Sequence, residues 1–213
     1  MTETTNMDIR NQRSSEGCIN IDDAALVEQC RQGDSEATER LILKYQNRIY
    51  NVILKICANA DDAAELSQET FVKVIENVNK FEGRSSFYTW VFRIAVNLTL
   101  NYCKRSVKLG LKSLDAEDDE RGRQARRSLK EILSDDSSSD PAAVASNKEL
   151  CELVKQALMQ LDDAQRAVVV LRDIEGMDYA QIADVLGVEL GTVKSRLSRG
   201  RSNLREIMEA ITQ

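Results

Sequence analysis

The chain has 213 residues, a formal net charge of −6, and 42% hydrophobic residues. It contains no histidine, which excludes Ser-His and Cys-His nucleophile pairs and every His-based metal site. Nine glycines and one proline are too few turn residues for a β-sandwich or barrel of this length, so the composition predicts an all-α fold. No apolar run reaches the roughly 20 residues of a membrane span, and no signal-peptide core is recognisable. We therefore expect a cytoplasmic protein without membrane insertion.

The five cysteines are scattered along the chain. Their number is odd and no C-x-x-C pair occurs, so they form neither a disulfide framework nor a zinc site. We interpret them as incidental thiols in a reducing compartment, and we expect no metal and no cofactor. They are Cys18, Cys30, Cys57, Cys103 and Cys151.

Residues 1–20 are polar and aperiodic, which predicts a disordered tail. After them, Asp22 and Asp23 are candidate caps for a first helix that ends before Gly33.

Two longer amphipathic helices are predicted next, the first capped by Asp34 or Ser35 and the second beginning near Asp61. Their apolar residues recur every three or four positions, as on one face of a helix. The predicted core stripes are Leu41, Tyr45, Ile49, Val52, Ile53 and Ile56, followed by Leu66, Thr70, Phe71, Val74, Ile75 and Val78.

A fourth helix, beginning near Phe87, lies in a segment of one charge sign. Residues 83–114 contain six basic residues and no acidic one. Phe87 and Phe92 are expected in the core. One helix face combines an aromatic ring, amides and cations, which suits single-stranded nucleic acid through stacking, base-edge hydrogen bonds and phosphate neutralisation. The alternative is that the rings belong to the core and the amides are only solvated. The face comprises Trp90, Arg93, Asn97, Asn101, Lys104 and Lys108, with Arg105 beside it.

Residues 108–143 have no sustained period and read as a flexible acidic linker. A helical period then returns, and Asp162 with Gln165 resembles a capping box for a helix that ends at Gly176. The apolar positions before that box are Leu150, Leu153, Val154, Ala157, Leu158 and Leu161.

Residues 179–205 predict a helix-turn-helix. Gly187 supplies the positive φ of a tight turn, and Ala183 allows two helices to cross closely. Residues 194–205 carry five basic residues and no acidic one, a composition that suits a helix in the major groove of DNA. Glu189 is a poor N-cap, so the start of the second helix is not determined. The polar side of that helix holds Lys194, Ser195, Ser198, Arg199 and Ser202, and the core side holds Val193, Leu197, Gly200 and Leu204.

Three segments together resemble one protein family. FEGRSSFYTWVFRIAVNLTLNYCKR, the preceding DDAAELSQETFVKV and the terminal GTVKSRLSRGR are similar to bacterial RNA polymerase sigma factors of the small extracytoplasmic-function subfamily. The resemblance implies sigma region 2 at 21–107, the linker at 108–143 and sigma region 4 at 144–213. It also implies a non-enzymatic factor that binds the clamp coiled coil and flap of core RNA polymerase, directs it to promoters and helps to melt them.

The resemblance also implies roles for individual residues. Asn97 matches the position that captures a flipped base of the minus-ten element, and Trp90 lies in the melting segment, with Arg93, Asn101, Lys104 and Arg105 as further minus-ten candidates. Unstacking that base costs a few kcal/mol, which the pocket must offset. An anti-sigma factor is the implied inhibitor. The candidates for clamp contact are Asp62, Glu65, Gln68 and Glu69, and those for the minus-thirty-five element are Thr192, Lys194, Ser195, Ser198, Arg199 and Ser202.

Two other classes of function are compatible with parts of the sequence. A helix-turn-helix repressor or activator would bind duplex DNA unaided, usually as a dimer with an effector pocket. A nuclease would need clustered carboxylates and a metal, for which Asp61, Asp62 and Glu65 are the compact candidates. Their place at a helix start is explained equally well by the helix dipole, and no small-molecule substrate is expected.

Overall fold

A computed structural model describes residues 21–110 and 153–212. The predicted tail and most of the predicted linker lie outside these residues. Every regular element in the described part of the chain is helical, which confirms the all-α prediction. In chain order the elements are α1 (Ile21–Arg31), α2 (Ser35–Cys57), α3 (Ala60–Asn77), a 3-10 turn (Val78–Lys80), α4 (Phe87–Gly110), α5 (helical at 153–159), α6 (Asp163–Val169), a π-helical turn (Val170–Ile174), α7 (Tyr179–Leu186) and α8 (Leu190–Thr212).

The prediction that Asp22 and Asp23 cap the first helix is wrong, because α1 already begins at Ile21. Asp23 is buried, and its carboxylate accepts hydrogen bonds from Lys44 Nζ at 2.6 Å and from the Tyr45 hydroxyl at 2.5 Å. Burial, and then the bond to this carboxylate, raise the pKa of Tyr45 far above its ordinary value. Asp23 therefore ties α1 to α2 instead of capping a helix.

The predicted core of α2 and α3 is confirmed with one exception. Asp34 caps α2 by accepting from the backbone amides of Glu36 and Ala37, and every residue of the predicted α2 stripe is buried. In α3 the predicted stripe is also buried, but Ile75 is 46% exposed. Ile75 instead lines an open pocket between α3 and residues of α1 and α2, among them Cys30 and Ile42.

The second half is built from α5 to α8 around Ala157, Leu158 and Leu161, which are buried as predicted. Asp162 caps α6 through the amides of Ala164 and Gln165, although the Gln165 side chain accepts from Asn203 Nδ2 at 2.9 Å. A complete capping box, which the sequence did not single out, lies instead at Asp178 and Gln181 before α7. Gly176 and Gly187 have φ of +73° and +62°, as predicted for the two turns.

Helix α8 packs closely on α6 at Gly200. A Cβ added there would lie 3.0 Å from Val169 Cγ2, closer than ordinary packing. Val193 and Leu197 are buried on the same side of α8, and Leu204 is half-buried against the core. This packing turns the opposite, polar side of α8 outward.

The two halves of the molecule lie against each other, with α4 packed on α7. The buried apolar residues of both halves belong to one hydrophobic cluster. This arrangement brings the basic, amide-rich face of α4 next to the helix-turn-helix.

Candidate nucleic-acid interface

The outer side of α8 presents most of the residues predicted to bind duplex DNA. Lys194, Ser198, Arg199 and Ser202 are exposed. Ser195 is half-buried, and its hydroxyl donates to the backbone oxygen of Thr192 at 3.0 Å. Thr192 is also half-buried, so the helix itself uses part of the hydrogen-bonding capacity of Thr192 and Ser195. Lys194 and Arg199, in contrast, are exposed on the helix surface.

A groove of about 340 Å³ lies along this side of α8. Sequence reasoning did not single out Arg201, Arg205 and Tyr179, which line it, although both arginines belong to the acid-free run. Arg201 bonds both carboxylate oxygens of Asp173, which fixes its guanidinium against the π-helical turn. The groove is lined by Tyr179, Lys194, Leu197, Ser198, Arg201, Ser202 and Arg205.

Trp90 stands at the start of the α4 face. Its ring lies 5.3 Å from the ring of Phe81 and 5.5 Å from that of Phe87, centroid to centroid, and it is half-buried. Phe87 and Phe92 are buried, which confirms their assignment to the core. Trp90 is thereby held by an aromatic cluster while part of its surface stays accessible.

Two residues in the middle of the α4 face contact α7. Asn97 Nδ2 donates to the backbone oxygen of Val185 at 3.1 Å, and the Arg93 guanidinium forms an ion pair with the Asp184 carboxylate. Further along α4, Asn101, Lys104 and Arg105 are exposed. Besides Trp90, the predicted minus-ten residues therefore comprise Arg93 and Asn97, which contact α7 although Asn97 is exposed, and Asn101, Lys104 and Arg105, which are exposed further along α4.

The predicted polymerase-binding residues lie on α3. Glu65, Gln68 and Glu69 are exposed, and Glu69 forms an ion pair with Lys73 at 3.5 Å within the same helix. Asp62 is half-buried and hydrogen-bonded to the Tyr102 side chain. Burial, and to a lesser extent this hydrogen bond, raise the pKa of Tyr102. Exposed Val72 and Ile75 continue the α3 surface, so apolar and acidic groups are presented together.

Two family models match separate parts of the chain. Residues 41–108 match the family model for sigma-70 region 2, and residues 151–204 match the model for sigma-70 region 4. The RNA polymerase sigma-H factor of Pseudomonas aeruginosa is 32% identical over 192 residues, covering 89% of this chain and 95% of that protein. The ECF RNA polymerase sigma-E factor of Escherichia coli is 31% identical over 185 residues, covering 85% and 91%.

The chain belongs to the extracytoplasmic-function subfamily of the sigma-70 family. As a sigma factor it binds core RNA polymerase, directs it to specific promoters and helps to melt them to initiate transcription.

Solved structures share the fold of this sigma factor. CnrH, solved with the cytosolic domain of CnrY, aligns with a TM-score of 0.61 at 23% identity, over 89% of this chain and 98% of that one. RpoE of Bartonella quintana, solved with the anti-sigma factor NepR, aligns with a TM-score of 0.60 at 21% identity, over 80% and 96%.

The described part of this sigma factor also bears on metal binding, membrane insertion and thiol chemistry. Residues 21–110 and 153–212 contain no group of three or more His, Cys, Asp or Glu side chains that could hold a metal ion. Over the same residues no helix is long and apolar enough to cross a membrane. Burial raises the pKa of the Cys57 thiol to about 12 and that of Cys103 to about 11, so both thiols are protonated at neutral pH.

Proposed function

We propose that this sigma factor divides promoter recognition between the outer side of α8 and the amide-rich face of α4, and that it grips polymerase through the outer side of α3. The observation that carries the proposal is that two helix surfaces without acidic residues lie on separate halves of an otherwise acidic chain. Such surfaces favour phosphate because its neutralisation releases bound counterions.

Helix α8 reads duplex DNA in this proposal. Its length and exposed cations suit the major groove, where Lys and Arg bond the O6 and N7 atoms of guanine. Lys194 and Arg199 are the base-reading candidates, with Ser198 and Ser202 as shorter contacts. Arg201 lines the same groove, but its guanidinium is paired with the Asp173 carboxylate.

The α4 face takes single-stranded DNA. An amide such as that of Asn97 can both donate to and accept from a base edge, which a cation cannot do. Trp90 offers a ring for stacking, and Lys104 and Arg105 offer charge for the backbone. Together they hold an unpaired base and stabilise the melted strand.

The α3 surface docks on the polymerase clamp. Glu65, Gln68 and Glu69 present acidic and amide groups to a basic partner, while Val72 and Ile75 add apolar area. Asp62, hydrogen-bonded to Tyr102, supports the surface from its edge. The helix-turn-helix half docks on the flap, so that both halves are placed at one promoter.

The factor works by binding alone and is not an enzyme, since every step assigned to it is recognition or strand capture. It acts in the cytoplasm, where core polymerase and promoter DNA are found. An anti-sigma factor holds it inactive, a proposal supported by the solved relative that was crystallised with NepR.

The test is reconstitution with bacterial core RNA polymerase. Co-purification, followed by transcription from genomic fragments and permanganate footprinting, should yield specific start sites with unpaired thymines near minus ten. Specific binding of duplex DNA by the isolated protein as a dimer, with no transcription after addition of core enzyme, would contradict the proposal.

A further inference from the structure

Helix α8 begins with an exposed leucine. Five large hydrophobic side chains are exposed in the described part of the chain, and Leu190, at 41%, is the one on α8. Val188, Leu197 and Leu204 belong to the hydrophobic cluster or pack against it. Single exposed leucines are common on protein surfaces, so the position of Leu190 decides whether it has a role.

Leu190 lies in the part of a helix-turn-helix that enters DNA. Gly187 makes the turn before it, and Lys194, one helical turn after it, is exposed on the same side of α8. In this motif the N-terminal residues of the second helix contact base edges in the major groove. Residues 190–193, which we call the leading turn, contain no charged residue. The leading turn therefore offers apolar surface, whereas Lys194 and Arg199 offer cations.

Gly191, also in the leading turn, is not required by the fold of the free chain. Its φ is not positive, and a Cβ added there would meet nothing within 4 Å. Gly200 differs, because its added Cβ would lie 3.0 Å from Val169 Cγ2. Glycine is also unfavourable in a helix compared with alanine. The close approach of another molecule to the backbone is the remaining use of a glycine at this position.

The apolar group on the major-groove edge of DNA is the 5-methyl group of thymine. Each base pair presents its own pattern of donors and acceptors there, and only pairs that contain thymine add the methyl group. A leucine that covers this methyl group removes apolar surface of both groups from water. The contact acts only at van der Waals distance, so the helix backbone must lie close to the bases.

We infer that the leading turn of α8 reads a thymine of the upstream element. Leu190 packs on the 5-methyl group of that thymine, and Gly191 lets the helix backbone lie close to the bases. The inference rests on the proposed reading of duplex DNA by α8. It adds a specificity that the cations do not supply, because Lys and Arg read guanine.

The experiment uses holoenzyme reconstituted from core RNA polymerase and the full-length chain. Its ligand is a duplex with the upstream element of a promoter that the holoenzyme transcribes, in which each thymine of either strand is replaced in turn by uracil. This replacement removes the 5-methyl group and keeps the hydrogen-bonding groups of the base. Fluorescence anisotropy measures the affinity of the wild type, of Leu190→Ala and of the matched control Leu43→Ala, whose leucine is 55% exposed on α2.

We expect one uracil replacement to weaken binding of the wild type about threefold, as for the loss of one buried methyl group. The same replacement should leave the affinity of Leu190→Ala unchanged, and it should weaken binding of Leu43→Ala as it weakens that of the wild type. The two changes form a double-mutant cycle that isolates the contact. If no uracil replacement affects the wild type, or if its effect persists in Leu190→Ala, the inference is overturned.

Gly191→Ala tests the close approach of the backbone. It should weaken binding of the unmodified duplex at least about threefold, because a methyl group at the interface separates the helix from the bases. Thermal unfolding of the free protein should not become easier, since the added Cβ meets nothing within 4 Å. Wild-type affinity in this variant would overturn the role of Gly191.

Lys194→Ala in the same assay separates this inference from the proposed function. If Lys194→Ala weakens binding but no uracil replacement does, then α8 reads the duplex and the inference about Leu190 fails. If Lys194→Ala, Leu190→Ala and the uracil replacements all leave the affinity unchanged, then the proposed reading by α8 fails and the inference fails with it.

Discussion

Asp23 illustrates how one buried carboxylate organises the first domain. Its bonds to Lys44 and Tyr45 join α1 to α2, and they satisfy a hydroxyl that would otherwise be buried without a partner. Position in sequence suggested a cap because acids favour helix starts. The carboxylate instead forms a tertiary contact, since its partner Lys44 lies 21 positions further along the chain.

Asp23→Ala should lower the free energy of unfolding by about 1–3 kcal/mol, because the buried Tyr45 hydroxyl loses its acceptor. Urea unfolding of the full chain measures this change. Glu36→Ala is the control, since its ion pair with Arg40 is exposed and should contribute less than about 1 kcal/mol. Equal losses in the two variants would show that Asp23 behaves as a surface acid.

The thiols of Cys57 and Cys103 make stability depend on alkaline pH. Burial raises their pKa values to about 12 and about 11 from an ordinary value of 9.0. Above pH 9 the thiols of the unfolded chain release protons that the thiols of the folded chain retain. Their contribution to the free energy of unfolding is therefore fully present below pH 9 and falls as the pH rises. Urea unfolding from pH 8 to about 10.5 should show a smaller decline for Cys57→Ala with Cys103→Ala than for the wild type. Parallel declines would refute the role of the thiols.

Lys194 and Asn97 are expected to affect different steps of initiation. Lys194→Ala should weaken holoenzyme binding to an upstream duplex by about 1–3 kcal/mol, if the ammonium reaches a base edge. Asn97→Ala should leave that duplex binding intact and reduce open-complex formation, because base capture follows docking. Polarisation of a labelled duplex and permanganate reactivity measure the two steps. Normal melting with Asn97→Ala on a matched promoter contradicts the assignment.

At the scale of elements, the helix-turn-helix depends on how closely α8 approaches α6. Gly200 is buried where a Cβ would lie 3.0 Å from Val169 Cγ2 and 3.4 Å from Gln165 Cβ. Gly187 has a left-handed conformation that ends α7 and starts the turn. These two glycines serve different needs, one for space and the other for backbone conformation.

Gly200→Val should destabilise the second half by about 1–3 kcal/mol, because the added isopropyl group has no room against α6. Gly191→Ala is the control, since its added Cβ would meet nothing within 4 Å. Thermal unfolding followed by circular dichroism compares the two. A Gly200→Val variant as stable as Gly191→Ala would mean that α6 yields to α8.

The whole molecule combines a net charge of −6 with two small basic surfaces, one of which contacts the other half through Asn97. Long-range repulsion from DNA therefore opposes attraction at the surfaces. We expect polymerase to supply the additional binding energy that promoter binding requires.

The isolated factor should accordingly bind promoter duplex weakly, and addition of core polymerase should confer specific binding. Gel mobility shifts at fixed salt, with and without core enzyme, measure this dependence. A duplex of scrambled sequence is the control for unspecific attraction. Tight specific binding by the factor alone would favour an independent helix-turn-helix regulator.

Much of the local structure was determined by the sequence alone. Period and caps located α2, α3 and α4, because an apolar face and a side-chain acceptor at Asp34 act within a few residues. Gly176 and Gly187 marked the turns because few other residues tolerate positive φ. The acid-free runs and the amide-rich face likewise indicated nucleic acid, and the resemblance of three segments indicated the family.

Only the tertiary structure decided how these surfaces are used. The burial of Asp23, the exposure of Ile75 and the engagement of Asn97 by Val185 depend on which helices meet, and the residues concerned lie up to 88 positions apart. The period of apolar residues identifies which face of a helix is buried, but it does not identify the helix that packs against that face. Packing and hydrogen bonds between distant segments depend on the whole chain. Asn97 is therefore a proposed nucleic-acid ligand by the resemblance of its segment, and a hydrogen-bond partner of α7 by its position in the fold.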